Sequence, residues 1–312
     1  MKKVGIIGGS GFIGSYVTKQ FLDHDYQVKV STTAISREDK YQHLMKFNHS
    51  DNLQISEMNV ENKASLFEFI SDCDIVIHTG TPFQLDFQDV EKQLFNPTII
   101  GTENFLEAVK KTSSIKKLVI VASVAGWNTN FPFPAEGKSF TDTFDETDTR
   151  FFSKESHPYT QAKFMANQVV ENFIKDNPTL PFEITTVSPV GVMGKSLSNR
   201  EDSTSGGLQF LIKNKIAPDA FIQMLFDNDI LWSSIDVEDV AKAIFKAGTT
   251  TGLHGKDYLL ASESYKISDI NLMLNQQEPE EKSVIVYKND LAKKDLNMEF
   301  KPVKYCLNNF ST

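Results

Sequence analysis

Tyr159 and Lys163 stand four residues apart in Tyr159-Thr160-Gln161-Ala162-Lys163. On a helix, that spacing puts a phenol and an ammonium on one face. An unperturbed tyrosine ionises near pH ~10, too high for acid–base work at neutral pH. A neighbouring cation favours the phenolate, so Lys163 is expected to draw the Tyr159 value down toward the working range. Tyr-x-x-x-Lys is also common as an ordinary surface pair, and needs a further group to gain meaning. Ser123, just past the apolar run Leu118-Val119-Ile120-Val121, supplies one. A hydroxyl at the carboxyl end of a parallel strand lies where open α/β sheets bind ligands. Together the three groups could orient and protonate a small polar oxygen.

A second constellation lies near the start of the chain, in Gly8-Gly9-Ser10-Gly11-Phe12-Ile13-Gly14. It fits Gly9-x-Gly11-x-x-Gly14 and also Gly8-x-x-Gly11-x-x-Gly14. Glycines there allow a tight turn, close approach of backbone to a pyrophosphate, and close packing of helix on sheet. The alternative, a glycine-rich turn with no ligand, is disfavoured by a strand signal before the loop and a helix signal after it. The loop therefore points to a dinucleotide, with phosphates at the helix N-terminus. The next strand ends in Ser31-Thr32-Thr33 with no acid for a ribose diol, and Arg37 follows. Hydroxyls and an arginine suit a 2′-phosphate, so NADP is expected. If Arg37 is only a solvated residue opening a helix, NAD stays open. A later stretch, Gly191-Val192-Met193-Gly194-Lys195-Ser196, lacks a triphosphate loop's first glycine, because Pro189 stands there.

Alternating elements must position these groups. Strands are expected at 4–7, 27–31, 53–58, 74–78, 117–122 and 183–188, and helices at 12–23, 38–48, 63–70, 89–111 and 159–175. Continuously apolar strands such as Ile75-Val76-Ile77 imply a parallel sheet covered on both faces. The pattern loosens over 189–235, with a helix near 208–213. It returns in a helix at 237–247 and a strand at 257–261. The expected architecture is α/β, a Rossmann doubly wound parallel sheet of residues 1–188 plus 236–262. Residues 189–235 plus 263–312 are expected to form a smaller substrate-binding lobe.

Composition narrows the classes. The 312 residues are 40% hydrophobic, enough for a large core, and carry a net charge of -9 without a basic block. Neither a nucleic-acid nor a membrane-surface partner is expected. The two cysteines, Cys73 and Cys306, are far apart, and no metal-binding cluster accompanies them. No metal site or disulfide is expected, and a cytoplasmic setting fits reduced thiols. The N-terminal apolar run breaks at Gly8, too early for a signal peptide, and no run reaches the ~18 residues of a membrane helix.

The glycine loop, Ser123, Tyr159 and Lys163 occur in the order of a known family. The chain resembles an extended short-chain dehydrogenase/reductase of the NAD-dependent epimerase/dehydratase superfamily. Asp74-Ile75-Val76-Ile77-His78 with Thr79-Gly80-Thr81-Pro82, Gly101-Thr102-Glu103-Asn104, Ile235-Asp236-Val237-Glu238-Asp239-Val240-Ala241 and Leu296-Asn297-Met298-Glu299-Phe300-Lys301-Pro302 carry the likeness across nearly the whole chain. Within the superfamily it is most similar to the dihydroflavonol 4-reductase-like branch, with its cinnamoyl-CoA reductases and microbial aldehyde or ketone reductases. The long stretch from Ser123 to Tyr159 with Phe144-Asp145-Glu146-Thr147, the run Asn96-Pro97-Thr98-Ile99-Ile100-Gly101-Thr102, and Val190-Gly191-Val192-Met193-Gly194-Lys195 support this branch. Several positions depart from the pattern. Ile7 replaces a threonine, Thr33 a 2′-phosphate arginine, Asn59 an adenine-contacting aspartate, and Ala122 the first of two serines.

The resemblance implies that Ser123, Tyr159 and Lys163 are catalytic. Tyr159 would act as the acid, Ser123 would bond the same oxygen, and Lys163 would hold the nicotinamide ribose. It carries cofactor contacts onto Gly8, Gly11, Phe12, Ile13, Gly14, Thr33, Arg37, Asn59, Val60 and Thr79, onto Tyr159 and Lys163 themselves, and onto Pro189 and Val192. His78 is expected at the cofactor cleft, His157 has no assigned role, and Phe83, Phe131 and Phe133 are expected to face an apolar substrate. The implied activity is NADP(H)-dependent reduction of a small aldehyde or ketone. The alternatives are a nucleotide-sugar epimerase or dehydratase and a non-catalytic NADP sensor. A homodimer is compatible with the resemblance.

Overall fold

In the computed structural model, residues 1–60, 62–79, 89–200 and 203–310 are described. Strands β1 (Lys3–Ile7), β2 (Gln27–Thr32), β3 (Leu53–Glu57), β4 (Ile75–His78), β5 (Lys117–Val121) and β6 (Glu183–Pro189) alternate with helices α1 (Phe12–Asp23), α2 (Lys63–Ile70), α3 (Asn96–Lys110) and α4 (Pro158–Asp176). Then follow β7 (Gly191–Met193), α5 (Thr204–Asn214), α6 (Ala220–Asp227), β8 (Leu231–Asp236), α7 (Val237–Thr249) and β9 (Asp257–Leu260). The chain ends with β10 (Glu263–Lys266), α8 (Ile267–Leu274), α9 (Asp290–Asp295) and α10 (Val303–Asn308).

Seven strands form a parallel sheet in the order β3-β2-β1-β4-β5-β6-β9. Successive side chains on a strand face opposite ways, so apolar runs serve two cores at once. Ile75, Ile77, Val119 and Val121 join α1 and α7 on one face. Val76, Leu118 and Ile184 join Leu66 and Phe69 of α2, Phe105 of α3 and Val170 of α4 on the other. The sheet is thus the doubly wound Rossmann type. Strand order reverses between β1 and β4, which opens a crevice at their carboxyl ends.

Two expected helices differ. Over 38–48 the chain makes short 3₁₀ turns at Glu38–Lys40 and Leu44–Lys46 instead of an α-helix, with another at Ser50–Asn52. Tyr41, Leu44 and Phe47, three apart, all pack on the main core, which suits three residues per turn. The expected helix over 89–111 opens as a π-helical turn, Glu91–Phe95, before α3. Pro97 has no N–H to give the preceding turn, which widens accordingly.

The loosely patterned stretch holds more order than its sequence signals. β7, β8 and α6 were not expected; β8, with Ser233 and Ser234 inside it, pairs parallel to β7 and antiparallel to β10. Met193, Ile212, Leu225, Trp232, Ile270 and Leu307 form the core of this smaller assembly. Of the stretch 263–312 expected there, Tyr287, Ala292, Leu296 and Met298 pack instead into the main-sheet core.

Candidate active site

The crevice between β1 and β4 is lined first by the glycine loop. Gly8 takes a left-handed φ of 78°. Its N–H donates to Ser31 Oγ at 3.1 Å, and its carbonyl accepts from Gly11 N–H at 3.0 Å. A Cβ on Gly14 would lie 2.0 Å from the Gly8 carbonyl oxygen, so α1 approaches the loop this closely only because position 14 is bare. No side chain caps α1 at Gly11, and no acid occupies its first turn. The N–H groups of Phe12, Ile13 and Gly14 therefore open onto the crevice, a cradle that fits a pyrophosphate. On the other wall Thr79 donates from both N–H and Oγ1 to the Ile7 carbonyl, at 3.0 and 2.8 Å.

A support for the loop escaped the sequence reading. Ser15 Oγ donates to the Gly11 carbonyl at 2.7 Å and lies 2.8 Å from His43 Nε2. Ser15 spends its only proton on Gly11, so His43 Nε2 is the donor between them. Burial, then the charges of Arg200 and Lys46, push the His43 imidazole down to about 4. Because 38–48 reads only as a helix, nothing in the sequence marked His43.

At the adenosine end, Thr33 is exposed just beyond β2, and Arg37 is exposed nearby. The Arg37 fork grips Asp39 through Nε and Nη2 at 2.9 and 2.8 Å. Glu57, at the end of β3, accepts the Ile35 N–H at 3.1 Å. Asn59 is exposed and donates its N–H to Ser65 Oγ at 3.1 Å. Val60 packs half-buried against the α2–α3 core. Pro189 closes β6, and Val192 is buried in β7, so Gly191–Met193 is strand and not a phosphate loop.

The three polar groups come from neighbouring elements. Ser123 follows β5 and opens the 3₁₀ turn Val124–Gly126, its Oγ accepting the Ala125 N–H at 3.2 Å. That turn packs on α4. α4 begins at Pro158, where His157 Nδ1 accepts the Tyr159 N–H at 3.2 Å, giving His157 a capping role. Lys163 Nζ lies 5.6 Å from the centre of the Tyr159 ring. Both side chains keep a partly open surface yet are densely packed. Burial raises the Tyr159 phenol above its ordinary value, against the expectation that Lys163 would lower it. Burial also brings the Lys163 ammonium down to about 8, which weakens the cation that was to do the lowering. His78, at the end of β4, is pushed down to about 4 by burial and then by Lys163. His78, Thr102, Ile120, Ala122, Lys163 and Asn167 line a cavity of about 40 Å³.

Phe131 stacks edge-on to Trp232, centroids 5.1 Å apart, which joins the loop after Ser123 to the three-stranded sheet. Phe133 lies 6.4 Å from Phe140, while Phe83, like Gly80, Thr81 and Pro82, lies outside the described residues. Among the described residues no cluster of three His, Cys, Asp or Glu could hold a metal, and no helix is long and apolar enough to cross a membrane.

A doubly wound sheet with an uncapped glycine loop at its switch point defines the class of Rossmann-type dinucleotide-binding proteins. The model of the NAD dependent epimerase/dehydratase family matches residues 4–261, and the chain belongs to that family. It is 26% identical over 256 residues to cinnamoyl-CoA reductase CAD2 of Medicago truncatula, covering 82% of this chain and 74% of that protein. It is 25% identical over 288 residues to an anthocyanidin reductase of Vitis vinifera, covering 89% and 81%. Its fold matches that of yeast methylglyoxal/isovaleraldehyde reductase Gre2, solved with NADPH, at a TM-score of 0.80 and 22% identity over 98% of this chain and 96% of that one.

Proposed function

We propose that this protein is an NADPH-dependent reductase of small aldehydes or ketones. The reading is supported by Lys163 lying over the Tyr159 ring on a helix against which the turn after Ser123 packs. A nicotinamide held at the glycine loop would supply the hydride for the carbonyl carbon. Tyr159, kept neutral by its burial, gives its hydroxyl proton to the carbonyl oxygen, which becomes the alcohol. Ser123 donates a hydrogen bond to the same oxygen and fixes its direction. Lys163 would hold the ribose of that nicotinamide, and it stabilises the phenolate left on Tyr159 after transfer.

NADPH is favoured over NADH because no acidic side chain closes β2, and Arg37 can turn its fork from Asp39 to a 2′-phosphate. The named activities of the cinnamoyl-CoA, anthocyanidin and methylglyoxal/isovaleraldehyde reductases support a carbonyl substrate. The test is NADPH oxidation with a panel of aldehydes, ketones and diones beside nucleotide sugars. Turnover of the carbonyl compounds supports the reading. Turnover of the sugars alone would replace it with an epimerase or dehydratase, and cofactor binding without any turnover would replace it with a sensor.

A further inference from the structure

Tyr159, Lys163, Asn167 and Glu171 recur every four residues along α4. Four residues advance a helix by about one turn plus 40°, so the series forms a slowly winding stripe. Lys163 and Asn167 line the small cavity beside His78. The last two members of the stripe are held from below. Asn167 Nδ2 donates to Asp257 Oδ2 at 3.0 Å, and Arg150 pairs with both Glu171 and Asp257. Asp257, the first residue of β9, also accepts Ser188 Oγ from β6 at 2.8 Å. Arg150 then reaches upward, Nη1 donating to the Gly126 carbonyl at 3.0 Å, with its guanidinium 3.9 Å above the Trp127 ring.

Gly126 ends the turn that begins at Ser123, and its N–H is bonded to the Ser123 carbonyl at 2.8 Å. A Cβ on Gly126 would sit 3.3 Å from Asn167, so the turn lies flush on the helix. One guanidinium thus holds the Ser123 turn, and one carboxylate holds the roll of α4, with the two joined by an ion pair whose side chains are only 18% and 11% exposed. The guanidinium meets Gly126 through Nη1 and both Asp257 and Glu171 through Nη2, a two-nitrogen fork that a lysine's single ammonium does not reproduce.

We propose that Arg150, through Asp257 and Asn167, is the positioning residue that sets Ser123 and Tyr159 at the separation the reaction needs. It touches neither substrate nor cofactor. The inference rests on the reductase reading of Ser123, Tyr159 and Lys163. A misplacement of about 1 Å can cost ~100-fold in rate while leaving binding intact.

The test compares wild type with Arg150→Lys and Asn167→Ser, by single-turnover NADPH oxidation, steady-state kcat and KM, NADPH titration and thermal unfolding. The expected result is a rate at least about tenfold lower in Arg150→Lys and several-fold lower in Asn167→Ser, with NADPH affinity and substrate KM within about twofold. Variants that unfold at lower temperature but turn over at the wild-type rate when folded would overturn the proposal and leave the network purely structural. If Arg150→Lys fails to fold, Asn167→Ser, which spares the ion pair, decides alone by the same split between kcat and KM. A wild-type protein that oxidises no NADPH with any carbonyl compound fails the reductase reading instead, a separate outcome.

Discussion

Lys163 carries the most informative pH dependence at the residue scale. Its value of about 8 means that it is an ammonium below that pH and an amine above it. kcat/KM for NADPH is therefore expected to fall as pH rises past about 8, since that ratio reports groups of the free enzyme. Lys163→Met should remove this limb along with most of the rate, and a profile that rises through the same range would contradict the assignment. At the adenosine end, the competing claim of Asp39 on Arg37 gives a second prediction. Asp39→Ala frees the fork and should lower KM for NADPH several-fold without changing KM for NADH; Arg37→Ala should do the reverse. Steady-state kinetics with both cofactors check this. The types and order of Ser123, Tyr159 and Lys163 were legible in the sequence. Their electrostatics were not, because burial depends on what packs around them, and here it moves both groups against the simple pairwise expectation.

Element boundaries were most legible in the first two helices. α1 and α2 span the residues expected of them, 12–23 and 63–70. In α2 the Asn62 side chain accepts the N–H groups of Ala64 and Ser65 at 3.0 and 3.2 Å. Asn62→Ala should cost about 1 kcal/mol in denaturant unfolding, with little effect on turnover. Gly14→Ala belongs to the same scale but reaches the site. Its Cβ would press on the Gly8 carbonyl, forcing α1 away from the loop. We expect a loss of about 1–3 kcal/mol of stability and a much larger fractional loss of NADPH affinity, measured by titration on the folded variant. The segment 38–48 was misread because its three-residue spacing of Tyr41, Leu44 and Phe47 is close enough to helical periodicity to imitate it.

At the scale of the whole molecule, the parallel sheet and its crevice followed from alternating runs, whereas the three-stranded sheet stayed hidden. β8 carries two serines where a core strand would show apolar residues, and they are buried through contacts far away in sequence; Ser233 Oγ, for one, lies 2.7 Å from Ser264 Oγ of β10. The far rim of the main sheet is closed by Lys117 of β5, which holds Glu183 of β6 and the carbonyl of Thr250. Burial pushes the Glu183 carboxyl up, but Lys117 and the N–H groups of Gly252 and Leu253 outweigh it and hold the group below its usual value. Its contribution is thus present above the ordinary glutamate range and lost as pH falls through the lowered value. Lys117→Met should destabilise the fold by about 3 kcal/mol and flatten that acid limb, as read by unfolding at several pH values.

The proposed function turns on one claim, that hydride would pass from a bound nicotinamide to a carbonyl carbon while Tyr159 supplies the proton. The most direct measurement uses NADPH deuterated at its hydride-bearing carbon, an accepted aldehyde, and mass and NMR analysis of the product. One deuterium on the new carbinol carbon, at a rate cut ~100-fold or more by Tyr159→Phe, is the predicted result. Product without deuterium at that carbon, or transfer undiminished in Tyr159→Phe, would contradict it.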